Sequence, residues 1–172
     1  MTDMFNGAMD RFDWKLVGKK EIYVPYNAYV AHSDKTKIAD LIRPGHLNPD
    51  MMRYELHRVW VVEAKLKAGQ RHINSRRTFY LDEDSWNFLN ADNFDARGNL
   101  WKFNWTNMYF VPGKNLNYHN GGTAFYHDVV SGNYSAYDMT QARPKTYEMG
   151  QYDVEYGNPE FYSLENLKAG GY

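Results

Sequence analysis

The chain has 172 residues, a formal net charge of −1, no cysteine, and 17% aromatic residues that include fifteen tyrosines and five tryptophans. That length suits one domain with a sizeable core, and a charge near zero excludes a broad field that would draw nucleic acid or anionic membrane. The absence of cysteine excludes disulfides, thiolate metal sites, a thiol nucleophile and a lipidated Cys.

Met1 to Trp14 reads as irregular, with a turn signal at Asn6-Gly7. No secretory leader is read at Met1, and no apolar run is long enough to span a bilayer; an exported parent would carry its leader outside this chain. Lys19 to Val30 reads as a strand in which Pro25, unable to donate to a ladder, marks an edge or a bulge. Lys35 to Ile42 is expected as a short helix that stops before Arg43-Pro44-Gly45. Asn48-Pro49-Asp50 pairs a capping residue with a proline at the first helical position, so a turn of helix is expected before Tyr54.

Tyr54 to Trp105 is the organising stretch. Its runs of Val, Trp, Phe, Tyr and Thr, broken at Ala68-Gly69, Asp82-Glu83-Asp84 and Asp95 to Asn99, predict four consecutive antiparallel strands. These are Tyr54–Leu66, Ile73–Leu81, Trp86–Phe94 and Leu100–Trp105. A two-residue turn at Ala68-Gly69 sets Leu56 opposite Leu81, Arg58 opposite Phe79 and Trp60 opposite Arg77. A second turn pairing Leu81 with Trp86 sets Phe79 opposite Phe88, Arg77 opposite Asn90 and Ser75 opposite Asp92. With side chains alternating, one face then gathers Arg58, Trp60, Arg77, Phe79, Trp86, Phe88, Asn90 and Asp92. Given a bulge near Gly98, Trp101, Phe103 and Trp105 join it. The opposite face, with Glu55, His57, Val59, Val61 and Glu63, is mixed.

After the meander, Met108 to Asn120 reads as a long loop. A hairpin follows, from Thr123 to Val130, through Ser131-Gly132-Asn133, to Tyr134–Asp138. The tail predicts a helix capped by Asn158, opened by Pro159, striped by Phe161, Leu164 and Leu167 and ended by Gly170, its stripe buried on the sheet.

The chemistry-bearing residues point to no reaction. The six histidines show no zincin spacing; His46 and His57 have the more interesting surroundings, His119 and His127 fall on separate elements, and no metal is expected. Asn93 to Asn104 resembles a calcium loop only superficially, because Arg97 and Asn104 stand where acidic ligands belong. Asp82-Glu83-Asp84 reads as a solvated turn. There is no phosphate-binding glycine loop and no serine elbow. Arg71, Arg76 and Arg77 beside aromatics could grip single-stranded nucleic acid, but the dispersed lysines and acidic balance favour an ordinary solvated hairpin. Asn104-Trp105-Thr106 and Asn133-Tyr134-Ser135 are short sequon matches.

At Tyr26–Tyr29 (YNAY), Arg43–His46 (RPGH), Tyr54–Ala64 (YELHRVWVVEA), Arg76–Trp86 (RRTFYLDEDSW) and Asp95–Phe103 (DARGNLWKF), the chain resembles the C-terminal half of the DUF1329 proteins, outer-membrane lipoprotein-sorting-like proteins of Gram-negative bacteria. Phe5–Asn27 fits the same family, the resemblance runs well to about Tyr137, and the C-terminal helix fits more loosely. The resemblance implies a mostly β, α+β fold like that of lipoprotein carriers: a curved antiparallel meander, an incomplete barrel, with short helices on its concave side. It also implies a periplasmic or outer-membrane-associated setting, and that residues 1–172 form a single domain, the C-terminal part of a larger barrel.

The expectation is therefore a non-enzymatic envelope carrier or binding module for an apolar or lipidic ligand, without cofactor, metal, nucleic acid or transmembrane segment. Its expected binding residues are Arg58, Trp60, Arg77, Phe79, Trp86, Phe88, Asp92, Trp101 and Phe103. The alternative is a structural or interaction module, acting through an envelope protein partner, whose aromatic face is only core. An arginine on an apolar face needs a partner; an Arg77–Asp92 pair, or Arg77 stacked on Trp60, is the structural solution. A guanidinium left free for an acidic head group is the functional one.

Overall fold

The computed structural model describes residues 4–5, 7–111, 118–142 and 159–170. Seven strands form one antiparallel sheet: β1 (Phe12–Pro25), β4 (Tyr54–Leu66), β5 (Arg76–Asp82), β6 (Phe88–Phe94), β7 (Leu100–Val111), β8 (Tyr118–Asp128) and β9 (Asn133–Tyr137), adjacent in that order. A two-stranded hairpin of β2 (Ile42–Arg43) and β3 (His46–Leu47) lies between β1 and β4 in the chain. The helices are short: α1 (Tyr29–His32), α2 (Ile38–Leu41) and α3 (Leu164–Ala169). The fold is thus mostly β, with a large sheet that does not close into a barrel. The first strand is an edge, and Pro25 stands at its end, where its missing N–H costs no ladder bond.

Several local signals act as expected. Asn48 accepts from the Asp50 N–H at 3.3 Å and opens a 3-10 turn at Pro49–Met51. Gly98 has φ +86 in the β6–β7 turn, a conformation that disfavours side chains with a Cβ. Asp95 Oδ1 braces that turn by accepting from the N–H groups of Arg97 and Asn99 at 2.9 Å each. Other boundaries differ. The first strand starts at Phe12 and ends at Pro25, and Tyr29–His32 is helical. The predicted loop at Met108 is strand until Val111; residues 112–117 lie outside the described ones. His119 and His127 share β8 rather than lying on separate elements. On α3, Leu164 is 65% and Leu167 55% exposed, so these two do not bury a stripe. Asn158 and the Phe161 side chain lie outside what the structure describes.

The register holds the main corrections. Leu66 and Arg76 are joined by a nine-residue loop rather than a two-residue turn, and Trp60 faces Leu81, Val62 faces Phe79 and Ala64 faces Arg77. The slip is even, so Trp60, Val62, Arg77, Phe79 and Leu81 still share a face. Between β5 and β6 the outcome reverses. Leu81 pairs with Phe88, but after a bulge Tyr80 pairs with Asn90, Phe79 with Ala91, Thr78 with Asp92 and Arg77 with Asn93. The extra residue, Leu89, inverts the facing of everything beyond it. Asn90 and Asp92 therefore move to the face of Val59 and Tyr80. Phe103 pairs with Asp92 and Trp105 with Asn90, so they follow. The bulge expected near Gly98 does occur, at the register shift between Asn93 and Phe94.

Two faces result. On the Phe79 face, Met4, Phe12, Ala64, Phe79 and Ala91 form a buried cluster, with Phe5, Trp14, Leu81 and Phe88 against it. On the Val59 face, Val24, Tyr26, Val59, Leu89 and Met108 form a second cluster. That cluster draws on β1, β4, β6 and β7, and Tyr26 bridges Met108 although β1 and β7 lie four places apart in the sheet. Only a sheet curled toward this face can do that. A third cluster buries Ala28, Ala31, Leu41 and Leu47 of the α1–α2–β3 region against Trp105 and Phe125, so α1 and α2 cover the concave side. Each fully buried Val or Phe here contributes roughly 1.5–3 kcal/mol.

Candidate functional site

The helical cover does not seal the concave face. A groove of about 360 Å³ remains between the ends of β1 and β4, the β3 strand, the middle of β6 and β7, and the end of β8. Its walls include Pro25, Leu47, Tyr54, Phe103 and Trp105, with Asn90, His46 and His127 as polar groups. The volume falls in the range of small-molecule sites, roughly 300–1,000 Å³. Trp105 stacks on Phe125 at 4.3 Å and donates its indole N–H to His127 Nε2 at 3.0 Å. Burial lowers the His127 pKa; the neutral ring that accepts at Nε2 carries its proton on Nδ1. Asn90 Oδ1 is shielded from solvent and meets no donor among the described residues. A buried acceptor of this kind is costly unless something donates to it. The groove thus combines an aromatic wall with one unmet acceptor.

The nine residues predicted as a site are dispersed. Phe103 lines the groove. Asp92 is on the same face, half-buried, and accepts from the Tyr80 hydroxyl at 3.0 Å. Burial raises its pKa, only partly opposed by the Tyr80 bond and by Arg76 and Lys20. Arg77 is on the other face and 1% exposed. Its guanidinium donates to Asn93 Oδ1 at 2.8 Å and to the Met4 carbonyl, and lies over the rings of Phe79 and Phe5 at 4.7 and 5.3 Å. The expected Arg77–Asp92 pair is excluded by the inverted register, and the expected Trp60 stack is replaced by Phe79 and Phe5. Burial lowers the Arg77 pKa to about 10. Phe79 and Phe88 remain neighbours at 5.3 Å.

Arg58 is exposed and paired with Glu83, which Lys19 also holds. Trp60 lies under Lys19 Nζ at 4.3 Å and stacks on Trp86 at 6.5 Å. Trp86 is 67% exposed and adopts φ +60, a strained backbone for a bulky side chain. Trp101 donates to Asp128 at 3.1 Å and lies under Lys102.

The predicted solvated turn at Asp82 is instead anchored inside. Asp82 is fully buried and accepts from the Tyr26 hydroxyl at 3.1 Å, from the Ser85 N–H at 3.2 Å and hydroxyl at 2.6 Å, and from His57 Nδ1 at 3.1 Å. Burial raises its pKa, but bonds from Ser85, His57 and Tyr26 outweigh that and hold it below the ordinary carboxylate value. His57, Asp82 and Asp84 also bring potential ligand atoms within 4.8 Å of one another. Asp82 already uses about four acceptor positions, the full complement of a carboxylate, so the cluster is built as an anchor. The Asn104 sequon is closed to modification because Asn104 is 2% exposed.

Sequence reasoning missed Leu47, Tyr54 and His127 as groove residues and placed Trp105 on the wrong face. The signal that could have found them is the Leu89–Asn90 pair. Phe88 and Leu89, two consecutive apolar residues before Asn90, break the period-two alternation and are a cue for a bulge, but one sequence does not say on which side of it the face turns.

Against known proteins, the family described as "Protein of unknown function (DUF1329)" matches residues 1–168. The uncharacterized protein PA3922 of Pseudomonas aeruginosa is 44% identical over 158 residues, covering 92% of this chain. The chain spans about a third of that relative's length, 33%. A crystal structure of a DUF1329 family protein from Desulfovibrio piger aligns with a TM-score of 0.45 at 13% identity, over 79% of this chain and 48% of that one. A structure described as an outer membrane lipoprotein-sorting protein domain from Vibrio parahaemolyticus aligns at 0.42 and 11%, over 74% and 39%. Among the described residues no helix is long and apolar enough to cross a membrane.

Proposed function

The chain belongs to the DUF1329 family, and from that premise we propose that it is a non-enzymatic carrier or binding module of the Gram-negative cell envelope, periplasmic or outer-membrane-associated, that holds an apolar or lipidic ligand in the concave groove. The observation that carries the reading is the groove itself. Phe103, Trp105, Leu47 and Tyr54 give an apolar ligand a wall, and Asn90 Oδ1 gives its hydroxyl or amide N–H an acceptor. Of the nine residues first expected to bind, Phe103 belongs to this site; Arg58, Trp60 and Trp86 are outside it, and Arg77 and Phe79 serve the core.

Native mass spectrometry of gently purified protein tests the reading. The expected result is a co-purifying lipid whose occupancy drops when Phe103 is changed to Asp. A clean, unliganded mass for the unchanged chain, with no uptake of an added fluorescent fatty acid, sinks it.

A second reading, an interaction module that is the C-terminal part of a larger barrel, is favoured by β1. Among the described residues this fourteen-residue strand has a ladder partner on one side only, apart from the bridge at the following Tyr26, and it exposes Leu16 and Val17. Such an edge invites a further strand. Hydrogen exchange should find the outward amides of β1 poorly protected, with self-association rising with concentration. Full protection in a strict monomer would reject this reading.

A further inference from the structure

A second cavity, of about 330 Å³, opens on the opposite face of the sheet from the groove, over the end formed by β6–β9 and the loop before β5. Its floor is a run of carboxamides. Asn74, Asn93 and Asn104 are 1%, 1% and 2% exposed. Asn93 Oδ1 is satisfied twice, by Arg77 Nε at 2.8 Å and Asn74 Nδ2 at 3.3 Å. The other two are not satisfied: Asn74 Oδ1 and Asn104 Oδ1 are sealed from solvent and meet no donor among the described residues. Leaving two carboxamide oxygens unpaired in one place costs on the order of 1–3 kcal/mol each, so the site calls for a molecule that brings donors.

The rim narrows the class of that molecule. Tyr126 and Tyr137 meet edge to face at 5.1 Å beside the cavity, and the exposed Tyr137 offers a ring and a hydroxyl together. Charge is balanced, with one lysine, Lys102, and one acid, Asp128. Asp128 is already committed to Trp101 and to the N–H groups of Val130 and Ser131, and Lys102 lies over Trp101. Neither charge is arranged to select an anion or a cation. Carboxamides for hydroxyls, a tyrosine ring for an apolar ring face, and no net charge form one pattern. We propose that this cavity is a binding site for a neutral saccharide unit. It shares His127 with the concave groove at the sheet's end and otherwise has its own lining, so it does not depend on the groove's ligand.

Saturation-transfer NMR on the whole chain, with maltose, cellobiose and di-N-acetylchitobiose as probes and glucose 6-phosphate and galacturonic acid as charged controls, tests this. At least one neutral disaccharide should show transfer. Its affinity should fall about tenfold, the worth of one hydrogen bond or ring contact, in Asn104→Leu and again in Tyr137→Ala. Tyr137 is 47% exposed, so its loss leaves the fold intact even if the buried change does not. Transfer from none of the three, wild-type affinity retained in both variants, or binding of the charged sugars alone overturns the proposal.

Discussion

Strand β5 carries two buried charges of opposite sign, Arg77 and Asp82, and they never meet. Five residues apart, they point to opposite faces of the sheet, and each is accommodated differently. Asp82 is held by donors on every side, from Tyr26, Ser85 and His57, and its pKa falls. Arg77 is shown against neutral acceptors and aromatic rings, and burial brings its pKa down to about 10. The acid is tied into a network that joins β1, β4 and the β5–β6 turn; the base sits in a socket closed by Met4 and Phe5. Burial thus means something different for each: for Asp82 it goes with added attachment, for Arg77 with a cost.

The comparison predicts the largest loss at the acid. Asp82→Ala removes the acceptor for Tyr26, Ser85 and His57 at once and should cost about 3–5 kcal/mol, as breaking buried charged networks does. Denaturant titration measures it. A loss under about 1 kcal/mol would mean that the three donors find water and that the anchor is dispensable. The same group sets an acid limit. Its folded-state pKa is depressed, so its stabilisation is fully present above the unfolded carboxylate value, about 3.9, and is lost as pH falls through the lower folded value.

Arg77 should matter less, and its shape more than its charge. Arg77→Ala leaves a cavity and an unmet Met4 carbonyl, about 3 kcal/mol. Arg77→Met fills the socket and removes the buried cation, so only about 1 kcal/mol is expected. Equal losses for both would show that the charge, not the packing, holds Met4 and Phe5 in place.

Much of this fold was legible in the sequence because period-two runs and turn residues are local signals. The four-strand meander, the β8–β9 hairpin and the Asn48 cap all rest on them. The candidate site was less legible, because a face is a count of parity along the whole ladder. A slip of four residues between β4 and β5 changed every pairing but no facing; one extra residue at Leu89 moved Asn90, Asp92, Phe103 and Trp105 across the sheet together. Those four kept one another's company as predicted and lost that of Arg77. Arg58 was expected beside Arg77 and instead pairs with Glu83 at an exposed edge, since the longer loop before Arg76 slides it past the end of β5. The Asp82 anchor was invisible for another reason: its donors Tyr26 and His57 lie 56 and 25 residues away in the chain.

The smallest effect sharpens the contrast by reversing its sign. Asp92, displaced by the same bulge, is half-buried on the concave face with the Tyr80 hydroxyl as its hydrogen-bond donor. Burial raises its pKa, where the crowd of donors around Asp82 lowers that one. Between the unfolded carboxylate pKa, about 3.9, and the higher folded value, the native state binds the extra proton, so stability falls as pH rises through that window. At neutral pH the full cost of the buried charge is present. Asp92→Asn keeps an acceptor for Tyr80 and removes the charge. It should therefore raise the melting temperature slightly at pH 7, and the gain should vanish once the pH drops below about 4, where the wild-type acid is itself neutral. Thermal unfolding of both proteins across that range reads the difference directly. A variant less stable than wild type at pH 7 would show that the attraction of Arg76 and Lys20 for Asp92 exceeds the cost of burying it, making Asp92 a second anchor of the Asp82 kind.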